Sequence, residues 1–324
     1  MNEMEIYHID NGFILTESDL DSLIFNNKKE LVSEVSLSVD PLFADDFNAG
    51  LSIFRSPEHR AMINFKPESE PVFINGAVAN LTCFSCVADS YGHWMTDVLP
   101  RLAIYIKSRV HFDYLYMPYK DLVWQNDILS LLKISKRQII PYPQYKFLRC
   151  KQIISSPFPR PAWDVPEWIP RLLRSLFPYE IQNGKEEKKI YATRKDAKWR
   201  KVLNENDFEI MLKKFGFEIL TMANLSVAQK INLFSNSEFV ISIHGSTLSN
   251  TFFSKPNTRV LEIFGPGQRS PLHYQIAQVN DLKYYSLHFS DNLVDQLDEK
   301  QAAFTDFNVN LDIVEEFLDK TLTK

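Results

Sequence analysis

Between Lys189 and Phe264 the chain alternates between short β-branched apolar runs and segments of helical period, and this rhythm restricts its fold more than any other feature. Ile190–Thr193 reads as a strand, and Asn206 as the cap of a helix carrying Phe208, Met211, Leu212 and Phe215, with Glu209 completing a capping-box start. Phe217–Leu220 follows as a strand, Ser226 with Gln229 opens a helix carrying Ile231 and Phe234, and Phe239–Ile243 is again a strand. Strands alternating with helices of this length predict a parallel sheet covered on both faces.

The last of these strands stops at His244-Gly245, after which Ser246–Phe253 predicts a short helix ended by Pro256, and Arg259–Phe264 another strand. At the carboxyl edge of a parallel sheet such a turn offers a helix's unpaired N–H groups to a phosphate. Gly245 would allow close backbone approach, His244 could add a donor, and Ser246, Thr247 and Asn250 could add hydroxyl and amide bonds. An ordinary strand-to-helix turn with a surface histidine fits the same spacing. Arg194, Lys195, Arg200 and Lys201 follow the strand Ile190–Thr193 at the same edge, where they could neutralise a diphosphate or simply face solvent.

The chain has 324 residues, enough for two domains, and its 45% hydrophobic and 24% charged content is that of a globular protein. A net charge of -5 argues against nucleic acid as a partner and leaves a nucleotide to a local basic pocket. No apolar run approaches the roughly 20 residues of a membrane span, and the N-terminus lacks a basic start and apolar core, so a cytoplasmic location is expected. Cys83, Cys86 and Cys150 are too few for a disulfide framework, and the Cys83/Cys86 pair lacks the second half of a zinc site; buried thiols are expected. Asp19-Leu20-Asp21 has the form of a metal-holding DxD but reads better as the acidic first turn of a capped helix.

Residues 1 to 60 read as an irregular sheet edge, and Val72–Ile74 and Ala79–Phe84 as two strands joined by a hairpin turn at Asn75-Gly76. In DSYGHWMTDVLPR (89–101) a helix starting after Gly92 would put His93, Asp97 and Arg101 on one face beside an apolar stripe of Trp94, Val98, Leu102 and Tyr105, with a kink near Thr96 forced by Pro100. That trio is either a site or a buried histidine and a helix ion pair. Asp113–Met117, Asp121–Lys133, Gln138–Ile140 and Tyr145–Ser155 continue as strand, helix, strand and strand. The proline-dense segment from Ser156 to Pro178 predicts a connection between domains, followed by a charged turn at Lys185–Lys189. The expected organisation is 1–165, a linker 166–189, a second domain 190–290 and a helical end 291–324.

With YATRKDAKWRKVLNE, the stretch from Leu225 to Phe264 and GHWMTDVLPRL in hand, the chain resembles glycosyltransferase family 61. That family carries a Y-x-x-R…R-x-x-x-N-E segment, an HGAxLxN segment before a strand ending in Glu, and an upstream HWxxDxLPR segment. The match spans 90–101 and 190–264, in the family's order. Ser246 replaces the usual Ala, and Glu238 stands where the family favours Ala.

The resemblance implies an α/β, GT-B-like fold of two Rossmann-type domains facing a cleft. It implies an inverting transfer from a nucleotide sugar, often UDP-linked, to a glycan or lipid-linked glycan acceptor, in capsule or other surface polysaccharide synthesis. Asp97 matches the family's base, with His93 assisting; His244 with Gly245 matches the donor phosphate site; Arg194, Arg200, Asn204 and Glu205 match the basic segment. Glu262 is implied at the donor's ribose or base, and Trp94 and Arg101 as acceptor or structural support. No metal or other cofactor is expected, since fixed donors at a helix start can replace one. The protein would work in the cytoplasm, with room for peripheral association at the inner face of the membrane. A non-catalytic nucleotide-sugar-binding subunit would need the glycine turn but not His93 and Asp97.

Overall fold

A computed structural model describes residues 5–16, 21–37, 65–82, 89–160, 164–177, 188–290, 299–302 and 304–322. Asp19, Leu20, Cys83, Cys86 and Lys185 lie outside the described residues. The chain is α/β and divides into two compact units, 1–178 and 179–324.

The first unit is built on a mixed seven-stranded sheet. Its strands are β1 (Tyr7–Asp10), β2 (Phe13–Leu15), β3 (Leu23–Phe25), β4 (Val72–Asn80), β5 (Tyr114–Pro118), β6 (Ile139–Tyr142) and β7 (Phe147–Ser155). β7, β4, β5 and β6 run parallel in that order, and β1, β2 and β3 extend the β7 side antiparallel. The expected hairpin at Asn75-Gly76 is absent: Val72–Asn80 is one strand whose two halves both pair with β7 across a register shift between Ile74 and Ala77. Gly76 sits where an added Cβ would come within 2.9 Å of Asp113 Oδ2, and Ala77 N–H donates to that same oxygen at 2.8 Å. The glycine therefore serves a bulge rather than a chain reversal.

The carboxyl ends of β4 and β7 lie side by side, Ala79 opposite Ile154. Helix Leu99–Lys107 is locked onto them by Tyr105, whose hydroxyl donates to Asn80 C=O at 3.0 Å and accepts from Ser156 N–H at 3.0 Å.

The second unit carries an all-parallel five-stranded sheet of β8 (Lys188–Thr193), β9 (Glu218–Thr221), β10 (Ser237–Ile243), β11 (Arg259–Phe264) and β12 (Lys283–His288), ordered β12-β11-β10-β8-β9. Alternate strand residues pack on opposite faces. Phe239, Ile241 and Ile243 meet helices Glu205–Lys214 and Leu311–Leu322, while Val240 and Val260 meet Phe234, Leu248 and Ala277 on the other side. Burial on both faces explains why these strands read as unbroken apolar runs. Strand order reverses between β8 and β10, so their carboxyl ends flank the crevice where ligands of doubly wound sheets bind.

Helix Glu205–Lys214 begins two residues earlier than the sequence suggests, with Asn204 rather than Asn206 at its start. The entry is fixed from outside: Asn204 Nδ2 donates to Val309 C=O at 2.8 Å, and Val309 N–H returns a bond to Asn204 Oδ1 at 2.9 Å.

Candidate functional site

Two clusters of polar side chains stand at the carboxyl edges of the two sheets. In the first unit, Ser90 Oγ caps the backbone at His93 (3.3 Å), and the chain then passes through a π-helical turn, Trp94–Val98, before the α-helix Leu99–Lys107. Pro100 has no N–H to return to Thr96 C=O, and the ladder widens just upstream, with Leu99 N–H reaching Trp94 C=O.

The widened turn separates the expected trio. Arg101 turns into the fold, where Nη1 donates to Thr82 C=O (2.6 Å) and Nη2 to Ser155 Oγ (2.8 Å) and Ser156 C=O (2.9 Å), with Phe158 beneath the guanidinium. It staples the exits of β4 and β7 and makes no ion pair with Asp97 among the described residues. Trp94 is fully buried edge-on against Trp124.

Arg160 takes the place beside Asp97. Its Nε donates to Asp97 Oδ1 at 2.6 Å and its Nη2 to Oδ2 at 3.0 Å, both side chains being buried. Thr96 Oγ1 donates to Oδ2 at 2.8 Å, and His93 Nδ1 lies 3.0 Å from the same atom. Burial alone would raise the Asp97 pKa, but the Arg160 charge and the bonds from His93 and Arg160 hold its carboxyl well below the usual carboxylate range. His93 is the open member of the pair, its side chain 29% exposed against 7% for Asp97.

The sequence reading missed Arg160, which stands in PFPR where the proline-dense segment leaves β7. One signal could have found it. A carboxylate in an apolar helix needs a buried cation, and β7 ends at the same edge as β4.

In the second unit, His244 and Gly245 follow β10 directly, and Ser246–Phe253 is a 3-10 helix rather than an α-helix. Arg194 follows β8 across the strand-order reversal. A Cβ added at Gly245 would stand 2.2 Å from Arg194 Nη1, so the glycine is needed for the guanidinium to lie on the backbone. Arg200, held in the left-handed region at φ 59°, donates from Nη1 to His244 C=O at 3.1 Å. That backbone conformation costs on the order of 1–3 kcal/mol for a non-glycine residue and is characteristic of ligand clamps. The Nε atoms of Arg194 and Arg200 are buried with no hydrogen-bond partner among the described residues. Burial, and then the charge of Arg194, lowers the Arg200 pKa to about 10. Two like charges thus stand close together, both half-buried, an arrangement that an anion would relieve.

His244 is oriented from behind. Its Nδ1 lies 2.5 Å from Glu262 Oε1, an oxygen also 2.6 Å from His273 Nδ1, while Tyr284 Oη donates to Glu262 Oε2 at 2.6 Å. Burial would raise the Glu262 pKa, but His273 and His244 keep it well below the usual range; burial lowers that of His244 despite Glu262. The His244 ring stacks on Phe264, with centroids 4.9 Å apart. Glu262 is fully buried, so the carboxylate expected at the donor's ribose or base ends on three protein side chains. A charge in the apolar run RVLEIF was the sequence signal for His273 and Tyr284, which the sequence reading did not name.

The nitrogen and oxygen atoms of His244, Glu262 and His273 lie within 4.8 Å of one another, a set able to hold a divalent metal. Tetrahedral ligands at about 2.0–2.1 Å from zinc stand roughly 3.3 Å apart. The present spacing of 2.5–2.6 Å to Glu262 is that of hydrogen bonds.

Of the other expected donor-site residues, Ser246 is exposed and Thr247 half-buried at the start of the 3-10 helix. Asn250 is buried and braces that start by donating to Thr247 C=O at 2.8 Å. Glu205 accepts from Tyr191 Oη (2.7 Å) and Thr193 Oγ1 (2.5 Å) beneath β8. Asn204 and Glu205 thus anchor the far end of the stretch between β8 and the helix Glu205–Lys214, which carries Arg194 and Arg200.

The sequence model described as Glycosyltransferase 61 matches residues 91–261, more than half of the chain. The chain belongs to glycosyltransferase family 61. It is therefore a glycosyltransferase, with a sugar donor and an acceptor as substrates. No curated protein matches the chain. The family 61 match contains His93, Asp97, Arg160, Arg194, Arg200 and His244, and ends one residue before Glu262. Among the described residues no helix is long and apolar enough to cross a membrane.

Proposed function

We propose that this family 61 enzyme is an inverting transferase of GT-B type. The donor is a nucleotide sugar, UDP-linked, and the acceptor a glycan or lipid-linked glycan of a capsule or other surface polysaccharide. The reading is carried by one observation, the pair of half-buried guanidiniums beside His244 and Gly245 at the strand-order reversal. A diphosphate would pair with their two charges, and its developing charge on departure would be met by donors already in place. His244 and the first N–H groups of the 3-10 helix add to the same anion site. The His93–Asp97 pair supplies the base that frees the acceptor oxygen.

Such an arrangement needs no metal for the leaving group. The enzyme would act in the cytoplasm, associating with the inner membrane face only where its acceptor is lipid-linked. Calorimetry with UDP tests the donor site: binding in the wild type, weakened about tenfold or more by Arg200→Ala, is expected for the loss of one charge-assisted bond. Equal affinity in wild type and variant would move the diphosphate elsewhere.

A further inference from the structure

Four donor atoms converge on the Asp97 carboxylate: Arg160 Nε on Oδ1, and Arg160 Nη2, His93 Nδ1 and Thr96 Oγ1 on Oδ2, the single hydroxyl hydrogen of Thr96 being shared with Gly92 C=O at 3.0 Å. Oδ2 is crowded by three of these and Oδ1 carries the short bond from Arg160 Nε, which leaves a substrate proton one lone-pair position on Oδ1, in a side chain only 7% exposed. Its two oxygens are buried, and the bidentate guanidinium makes it a poor proton acceptor. The imidazole is arranged the other way. With Nδ1–H donating to Asp97, the Nε2 lone pair is turned outward from the pair, His93 keeps exposed surface, and Nε2 has no hydrogen-bond partner among the described residues.

We propose that His93 Nε2, rather than the Asp97 carboxylate, takes the proton of the acceptor hydroxyl, and that Asp97 and Arg160 are positioning residues that fix the His93 tautomer. This rests on the transferase reading above. As the acceptor oxygen bonds to the anomeric carbon, its proton passes to Nε2. The bond from that carbon to the donor's diphosphate oxygen breaks, and its electron pair leaves with the diphosphate. The imidazolium then rests against Asp97, already paired with Arg160, and returns its proton to water. Among the described residues, the charged groups facing His93 are Asp97 on its own helical stretch and, behind it, Arg160 from the segment after β7.

Long-range nitrogen–proton NMR of the labelled full chain tests the tautomer without any substrate. Neutral His93 is expected to carry its proton on Nδ1, and Asp97→Asn to shift it toward Nε2; a proton on Nε2 in the wild type would overturn the proposal. Turnover is then read as UDP release to water from UDP-glucose, UDP-galactose and UDP-N-acetylglucosamine. Loss of a general base costs about 10²–10⁴-fold, the fall expected in kcat for His93→Ala. In the wild type kcat should rise with pH in step with the NMR titration of His93. A kcat indifferent to that titration, or sustained in His93→Ala, would also overturn it. UDP affinity by calorimetry should be unchanged in His93→Ala. An absence of UDP binding in every variant would strike the donor reading instead, and the proposal would then stand or fall on the tautomer.

Discussion

Arg160 grips Asp97 through two parallel bonds, Nε to Oδ1 at 2.6 Å and Nη2 to Oδ2 at 3.0 Å, tying the segment after β7 to the helical stretch after β4. The grip neutralises a buried charge and sets the face on which His93 opens.

Arg160→Met leaves the Asp97 carboxylate buried without its cation. Removing one partner of a buried pair costs about 3–5 kcal/mol, the expected loss of unfolding free energy in a urea titration. The double variant Arg160→Met/Asp97→Leu should recover much of it, since neither charge is then stranded. Equal destabilisation in both variants would separate the cost from the ion pair.

Gly245→Ala places a methyl group where Arg194 Nη1 lies. The guanidinium must move, and UDP affinity by calorimetry should fall about tenfold, the loss of one charge-assisted bond. Gly245 lies outside the left-handed backbone region, so the melting temperature should move little.

Acid should destabilise both units. The folded Asp97 and Glu262 carboxyls titrate well below their unfolded values of about 4, so between those limits the unfolded chain binds more protons. Their contribution is complete above the unfolded value and is lost as pH falls toward the folded one. His244, held neutral by burial, acts in the same direction from about pH 6.5 downward. Melting temperature measured against pH should therefore fall on the acid side, and Glu262→Gln should flatten the slope.

Chelation distinguishes the two readings of the His244–Glu262–His273 cluster. A hydrogen-bonded support for His244 predicts that EDTA leaves UDP affinity and turnover unchanged. Activity lost in EDTA and restored by manganese or zinc would make the cluster a metal centre.

Much of the second unit was legible because its strands are buried on both faces and its helices carry local start signals; Ser226 with Gln229 forms a capping box as read. The glycine turn at His244-Gly245 was legible for the same reason, since a strand, a bend and a helix are all local. Illegible features depend on partners far away in sequence. Asn75-Gly76 has the composition of a hairpin, yet the chain runs straight on because β7, some seventy residues later, pairs with both halves. Arg101 matched the periodicity of His93 and Asp97, but a π turn lies between them and its hydrogen bonds go to Ser155 and Ser156. Arg160 was concealed by prolines that announce irregular chain and say nothing of what it touches. Asn204 and Glu205 were visible as a motif, whereas their use in holding Val309, Tyr191 and Thr193 is a tertiary fact.

The widened turn at Trp94–Val98 has a mechanical outcome. An α-helix advances about 100° per residue, so one extra residue in a single turn shifts the angular phase of everything upstream by that amount. Arg101, riveted to the strand exits, and His93, paired with Asp97, can thereby hold independent bearings on one rod. Replacing Pro100 by a residue that restores the regular ladder would turn the imidazole off its heading without touching it.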